Sequence, residues 1–208
     1  MISSAPELQK LINQVTACRI CRDSPVGKPL PHEPRPVLQA SLVARILIAG
    51  QAPGTRVHAS GRPFTDPSGE RLRSWLGIGP GIFYDADLIA ILPMGFCFPG
   101  TGKSGDLPPR PECAPTWRAQ LLSHLKHLEL TVVIGQYALD HHLPGTGGAA
   151  GGSVTQTVQG WRNHGPQTMP LPHPSPRNNI WLKRNPWFEV DLLPALRARV
   201  AGVLAHRL

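Results

Sequence analysis

No stretch of the sequence is apolar for long enough to span a membrane. The opening residues, Met-Ile-Ser-Ser-Ala-Pro-Glu, lack the charged start and apolar core of a secretory signal, so a cytoplasmic protein is expected. Acidic residues are scarce, 13 against 21 lysines and arginines, which leaves a net charge of +8. That balance favours a polyanionic partner, nucleic acid before a membrane surface, because no basic amphipathic helix stands out. Cysteine is limited to Cys18, Cys21, Cys97 and Cys113. A reducing compartment argues against pairing them as disulfides. A nucleotide-phosphate loop is missing too: Gly100-Thr-Gly-Lys-Ser lacks the G-x-x-x-x-G-K-[ST] spacing, and no helix opens directly after it.

Proline and glycine, by contrast, are plentiful, at 24 and 21. Loops must therefore be long and shaped. At 208 residues the chain suits one domain, residues 1–208, with a full core. Leu8, Leu11, Ile12 and Val15 fall at helical spacing over 5–17 and deliver the helix end to Cys18. Residues 22–39 read as a surface loop. Short branched apolar runs at 45–50, 87–92, 130–134 and 168–171 predict four strands, buried on both faces. Helices are expected near 68–76, over 114–127 with Trp117, Leu121, Leu122 and Leu125 inward, after Gly135, and from Trp181 to Leu204. Pro194 should break or kink the last of these. The Gly- and Ala-rich stretch 144–152 should be mobile or tightly turned. Strands alternating with helices imply an α/β fold, a mostly parallel sheet of about four strands covered on both faces.

Residues 45–69 are the stretch around which the chain is organised. A buried strand stops at Gly50, and a polar loop follows with Gln51, Thr55, Arg56, His58, Ser60 and Arg62 before Phe64. Ligands of open α/β sheets bind at such carboxyl ends. Gly50 lets backbone N–H groups approach a ligand, and Phe64 offers a flat face for a planar ring. The fourth strand ends in Pro172-His173-Pro174, which holds an imidazole out on stiff backbone. The two loops, 51–66 and 173–185, can converge at one edge of the sheet. The cysteines form a C-x-x-C pair and a second pair with fifteen residues between its members. Four thiolates so arranged suit zinc or a cubane iron–sulfur cluster, and would tie the N-terminal segment onto the sheet.

Gly50-Gln-Ala-Pro-Gly54 and His173-Pro-Ser-Pro-Arg-Asn178 together resemble the two motifs of the uracil-DNA glycosylase superfamily. The second is similar to the single-strand-selective monofunctional branch. The cysteine framework, Gly61-Arg-Pro-Phe64 and Ser68-Gly69 resemble instead the iron–sulfur branch of bacteria and archaea. The resemblance implies a three-layer αβα domain that flips a deaminated or damaged base from DNA and hydrolyses its N-glycosidic bond in base excision repair. It makes His173 the donor to a base carbonyl turning anionic, Phe64 the stacking partner of the flipped base, and the Gln51 and Ala52 N–H groups holders of its edge. It brings Ser175, Arg177, Asn178, Lys183 and Arg184 to the DNA backbone, in a loop entering the minor groove. It gives Cys18, Cys21, Cys97 and Cys113 a [4Fe–4S] cluster, with zinc as the lesser alternative, and implies a monomer at the nucleoid.

Four positions depart from that branch. Gln51 stands where Glu is usual, and Gln can orient a water without taking its proton. Val57 and His58 stand where acids follow the first motif, leaving Asp66 as the loop's water activator. Pro93 stands where an Asn reads the edge of uracil, four residues before the third cysteine. The alternative is a non-catalytic module on the same fold that binds or senses damaged DNA.

Overall fold

A computed structural model describes residues 4–103, 105–146 and 152–205. Its centre is a four-stranded parallel sheet in the order β2-β1-β5-β6, formed by β1 (Ile46–Ala49), β2 (Ile89–Ile91), β5 (Leu130–Ile134) and β6 (Thr168–Leu171). Ile48 pairs with Ile91 on one side and with Val132 on the other, and Ile134 pairs with Leu171. The chain runs from β1 out to β2, then crosses back to β5. That reversal places a topological switch point at the carboxyl ends of β1 and β5, where open sheets gape. Pro170 is tolerated because β6 pairs only with β5 and lies at the sheet's edge.

Strand residues alternate between two cores, as the two-residue period requires. Ile46 and Ile48, fully buried, face a cluster with Leu72, Trp75, Leu76, Phe188, Leu196 and Val200. These come from α4 (Pro67–Leu76), a π-helical turn Phe188–Leu192 and α10 (Leu193–Ala205). Leu47 points the other way, to Leu8, Leu11 and Val15 of α1 (Ala5–Thr16) and Leu121 of α6 (Ala119–His124). Ala49 and Val133 meet Ala138 and Leu139 of α7 (Gln136–His142) on that same side. The result is a three-layer αβα sandwich. Each fully buried Ile or Leu contributes about 1.5–3 kcal/mol by leaving water.

The helix ends follow ordinary chemistry. Ser4 caps α1 in a capping box with Glu7, and Asp66 caps α4 by accepting the Gly69 N–H at 3.1 Å. Both prolines inside helical stretches, Pro115 and Pro194, adjoin π-helical turns, Ala114–Arg118 and Phe188–Leu192. A proline has no N–H to donate, and a widened turn absorbs that loss without ending the helix. Pro194 thus neither breaks nor ends the last helical stretch.

Several short elements differ from the sequence expectation. Residues 22–39 are not wholly loop, since α2 (Ile20–Asp23) enters them and Gln39 bridges to Ile91. The polar loop after β1 contains α3 (Thr55–Ser60), and α5 (Pro80–Phe83) follows the Gly77 break. Residues 101–106 form a hairpin of β3 (Thr101–Gly102) and β4 (Gly105–Asp106). An unexpected α8 (Val154–Gln159) precedes β6. Residues 175–184 are helical rather than a loop: a 3₁₀ turn Pro176–Asn178 runs into α9 (Asn179–Arg184). Of the stretch 144–152, residues 147–151 lie outside the described residues. Among the described residues, no helix is long and apolar enough to cross a membrane.

Candidate active site and cysteine pocket

A cavity of about 570 Å³ opens at the switch point, lined by Gln51, Ala52, Phe64, Asp66, His173 and Arg177 among others. The loops after β1 and β6 do converge, not at the sheet's edge but across the end of β5. Gly135 there has φ 76°, and an added Cβ would meet the His173 ring at 3.8 Å. That is ordinary van der Waals contact, so it is the left-handed backbone, not crowding by the imidazole, that favours glycine there.

Phe64 is the one described non-glycine residue with positive φ, at 53°. Its strained backbone is held from three sides. Tyr84 Oη–H and an Arg73 Nη1–H each donate to the Phe64 carbonyl at 3.1 Å. That carbonyl also packs so closely on Gly69 that a Cβ there would stand 1.9 Å away. The ring lies over Gly50, whose added Cβ would be 3.5 Å from it, and meets Phe83 edge-on at 5.8 Å between centroids. Strain held this firmly marks a position whose orientation matters.

The first motif is pinned by its carbonyls. Met94 and Gly95 donate to Gly50 O and Gln51 O at 2.9 and 3.0 Å. The Gln51 and Ala52 N–H groups make no hydrogen bond to a described residue. Pro93, on the cavity wall, is held by a buried cation that sequence reasoning missed. Arg118 is 1% exposed and donates to Leu92 O at 2.6 Å and Pro93 O at 3.1 Å. Burial lowers its pKa to about 10, so it stays charged, and lowers that of its neighbour His142 to about 3.

His173 closes the opposite wall. Asn178 Nδ2–H donates to its carbonyl at 2.7 Å, and Ser175 caps the 3₁₀ turn by accepting from Arg177 N–H. Arg71 of α4 clamps this loop by donating to Ser175 O at 3.0 Å and Asn179 Oδ1 at 2.8 Å. Burial pushes the His173 pKa below the usual histidine value, opposed by the carboxylates of Asp66 and Asp106. A neutral imidazole carries one N–H donor, which is what an oxyanion requires.

Asp106 is the acid that sequence reasoning missed. It lies on β4, lines the cavity, and faces the first motif closely enough that a Cβ on Gly54 would meet its Oδ2 at 3.3 Å. Two-residue strands leave no periodic signal, so only the Gly105-Asp106 pair itself could have drawn notice. His58 is not in the cavity lining. Its ring packs on His32, 4.3 Å between centroids, and on Phe98. Ser175, Arg177 and Asn178 line the cavity, with Arg177 over Gly105 of the hairpin. Lys183 instead borders a shallow groove with Glu70 and Glu189, and Arg184 is exposed at the end of α9.

All four cysteines line a second, smaller pocket between α1, α2 and the Ala114–Arg118 turn. Its other walls include Val15, Ile20, Pro34, Pro36, Phe96 and Trp117. Trp117 Nε1–H and Phe96 N–H donate to the Cys18 and Cys113 sulfurs, both at 3.3 Å. Burial raises the Cys97 and Cys113 thiols to about 12, and raises Cys21 as well. The thiols are free, and among the described residues no group of three or more His, Cys, Asp or Glu is arranged to hold a metal ion. The Arg110–Glu112 ion pair, 2.7 Å, stands beside them, and Arg110 also holds Val26 O and Lys28 O.

The family model for the uracil DNA glycosylase superfamily matches residues 39–197, from the bridge into β2 through to α10. That span takes in both motif loops, the cavity between them and two of the four cysteines. The superfamily's members are DNA glycosylases, hydrolases that act on DNA. On that match and this geometry, the chain belongs to the uracil DNA glycosylase superfamily.

Proposed function

We propose that the protein is a monofunctional DNA N-glycosylase that excises a deaminated or damaged base flipped into the switch-point cavity. The observation that carries this is a half-buried His173, its pKa held below the usual histidine value by desolvation, sharing one 570 Å³ cavity with the conformationally held ring of Phe64. Breaking the bond from C1′ to the base leaves an electron-poor sugar and an anionic base. Phe64 stacks on the base, and the free N–H groups of Gln51 and Ala52 hold its edge. His173 donates to the carbonyl oxygen as it gains charge. A water then needs a carboxylate to take its proton, and Gln51 to orient it. Asp66 and Asp106 are the two acids in the cavity lining.

Ser175, Arg177 and Asn178 at the rim, with Lys183 and Arg184 further along α9, are the proposed contacts to phosphate. A single domain acting as a monomer at the nucleoid suits this task. Pro93 on the wall offers no side-chain donor or acceptor, so the base need not be uracil. The test is an oligonucleotide panel carrying uracil, hypoxanthine, xanthine or a thymine mismatch, with release of each free base measured. Release of at least one is expected. Retention of every modified duplex without release favours the second reading, a damage sensor. Gln51, which cannot act as a base, is the observation on that side.

The chemistry of the donor set supports a [4Fe–4S] cluster of the iron–sulfur branch. Four free thiols line one small, mainly apolar pocket that Glu112 also borders. Arg110 reaches the Cys21 sulfur and would have to yield it to the cluster. Cys18, Cys21, Cys97 and Cys113 would hold it. When bound, the cluster supplies a cross-link between α1, α2 and the 93–113 segment, and no chemical step. Iron and sulfide in stoichiometric amount, with absorbance near 400 nm, are expected after anaerobic purification; stoichiometric zinc without iron refutes the assignment.

A further inference from the structure

We infer that Asp106, not Asp66, is the carboxylate that faces the reacting sugar and takes the proton of the attacking water. The inference rests on the glycosylase reading above. The two acids differ in what they already do. Asp66 is the N-cap of α4, and its Oδ1 accepts the Gly69 N–H at 3.1 Å. That bond occupies the oxygen in capping and fixes the carboxylate's direction along the helix. The Asp106 carboxylate makes no hydrogen bond or ion pair with a described residue, yet it lies on the cavity wall. Its position is set by the hairpin, where it pairs with Thr101, and by the contact of Gly105 with Arg177. Gly54 has no Cβ, and the space left is where Oδ2 comes nearest the first motif.

Position across from His173 matters as much as freedom. Asp66 and Asp106 both act electrostatically on the His173 imidazole, Asp66 the more strongly, so both lie within range of it across one cavity. What separates them is that the Asp106 carboxylate is not spent on a helix cap. Charge separates along that line during cleavage. The C1′–N bond breaks with its electron pair leaving on the base, where His173 donates to the carbonyl oxygen. The sugar carbon gains positive charge, which the Asp106 carboxylate stabilises. Water oxygen then bonds to C1′, its proton passes to Asp106, and Asp106 returns it to solvent. Every atom is supplied by substrate, water and these side chains.

Two readouts test this. In single-turnover release from the best duplex of the panel, Asp106→Asn should lose about 10²-fold or more, the usual share of a general base. Asp66→Asn, which keeps a capping side chain, should lose at least tenfold less than Asp106→Asn. The second readout needs no turnover. Duplexes carrying a cationic pyrrolidine abasic site or a neutral tetrahydrofuran one are compared by titration. Wild type should prefer the cation, and Asp106→Asn should erase that preference while Asp66→Asn keeps it. Loss of preference in Asp66→Asn alone, or equal preference in wild type and Asp106→Asn, overturns the assignment. Because the pair of analogues reports on Asp106 even where no base is released, failure of the glycosylase reading is seen separately, in the wild-type panel.

Discussion

The two pockets of this protein handle charge in opposite ways. The switch-point cavity is open, with one histidine, two carboxylates and an arginine around a space of about 570 Å³. The cysteine pocket is closed by Pro34, Pro36, Phe96 and Trp117, and burial raises three of its thiols. On the proposed reading, a transient charge needs partners that are ready but unspent. The N–H groups of Gln51 and Ala52 and the carboxylate of Asp106 make no hydrogen bond to a described residue. A permanent occupant needs donors that are costly to leave alone. Thiolates packed in an apolar pocket are such donors, since only a bound cationic core makes the ionised form favourable there. On the proposed reading, the first pocket serves chemistry and the second architecture.

The largest expected effect breaks the architectural side. Cys113→Ser removes one of four donors from the more buried pair, and the 400 nm absorbance should disappear. Stability should fall by about 4 kcal/mol or more, the range reached when a structural metal is lost. For a chain of this size that is a drop in Tm of about 10 °C or more. A variant that keeps its Tm and its iron separates the pocket from the fold's stability and refutes the contrast.

The next breaks the chemical side. His173→Ala should lower single-turnover release by about 10²–10³, or 3–4 kcal/mol, with little change in Tm or in duplex affinity. Wild-type release by this variant removes the oxyanion role of His173. Taken together, these two variants should be near mirror images, one losing stability and the other rate.

Gly69→Ala sharpens the comparison within the active site. At an open helical position this change gains about 1 kcal/mol. Here the new Cβ would stand 1.9 Å from Phe64 O, so a loss of about 1–3 kcal/mol is expected from overpacking. Urea unfolding gives the sign directly. A stabilised variant shows that Phe64 can shift at little cost and is not held for stacking.

How much of this was legible in the sequence depended on the length of each signal. Four apolar runs gave all four sheet strands within about two residues, because burial on both faces writes a continuous pattern. Phe64, Asp66, Gln51 and His173 were visible as strand-end residues, and their convergence followed from parallel topology. Asp106, Arg71 and Arg118 were not visible. Each acts on a partner far along the chain: Arg71 on Ser175, Arg118 on Pro93, Asp106 across from Gly54. Six-residue helices such as α3 and α8 are too short for a helical period to show. The widened turns at Pro115 and Pro194 hid behind a residue type that normally ends helices.

A pH series tests the electrostatic half of the contrast. Imidazoles in the unfolded chain gain a proton near pH 6.5, whereas burial keeps His173 and His142 neutral further down. Between those limits the unfolded chain binds more protons, so stability should fall as pH drops below 6.5. Each group contributes at most about 1.4 kcal/mol per pH unit. Release of base should stay level from pH 6.5 to 8, since the neutral donor is the active form. A rate that falls as pH rises through 7 shows instead that the imidazolium is required.

The smallest effect concerns the rim. Arg177 lines the cavity and contacts the hairpin, whereas Lys183 borders the groove beside Glu70 and Glu189. Each phosphate contact releases counterions, so losing one lowers the slope of log K against log salt by about 0.9. Arg177→Gln should lower the slope by about one unit or less, alike for damaged and undamaged duplex. Lys183→Gln should lower it less, because two nearby carboxylates already screen its charge. Neither change should alter the 400 nm absorbance, since neither residue lines the cysteine pocket. A Lys183 effect larger than that of Arg177 shifts the DNA path from the cavity rim onto α9 and the groove beside it.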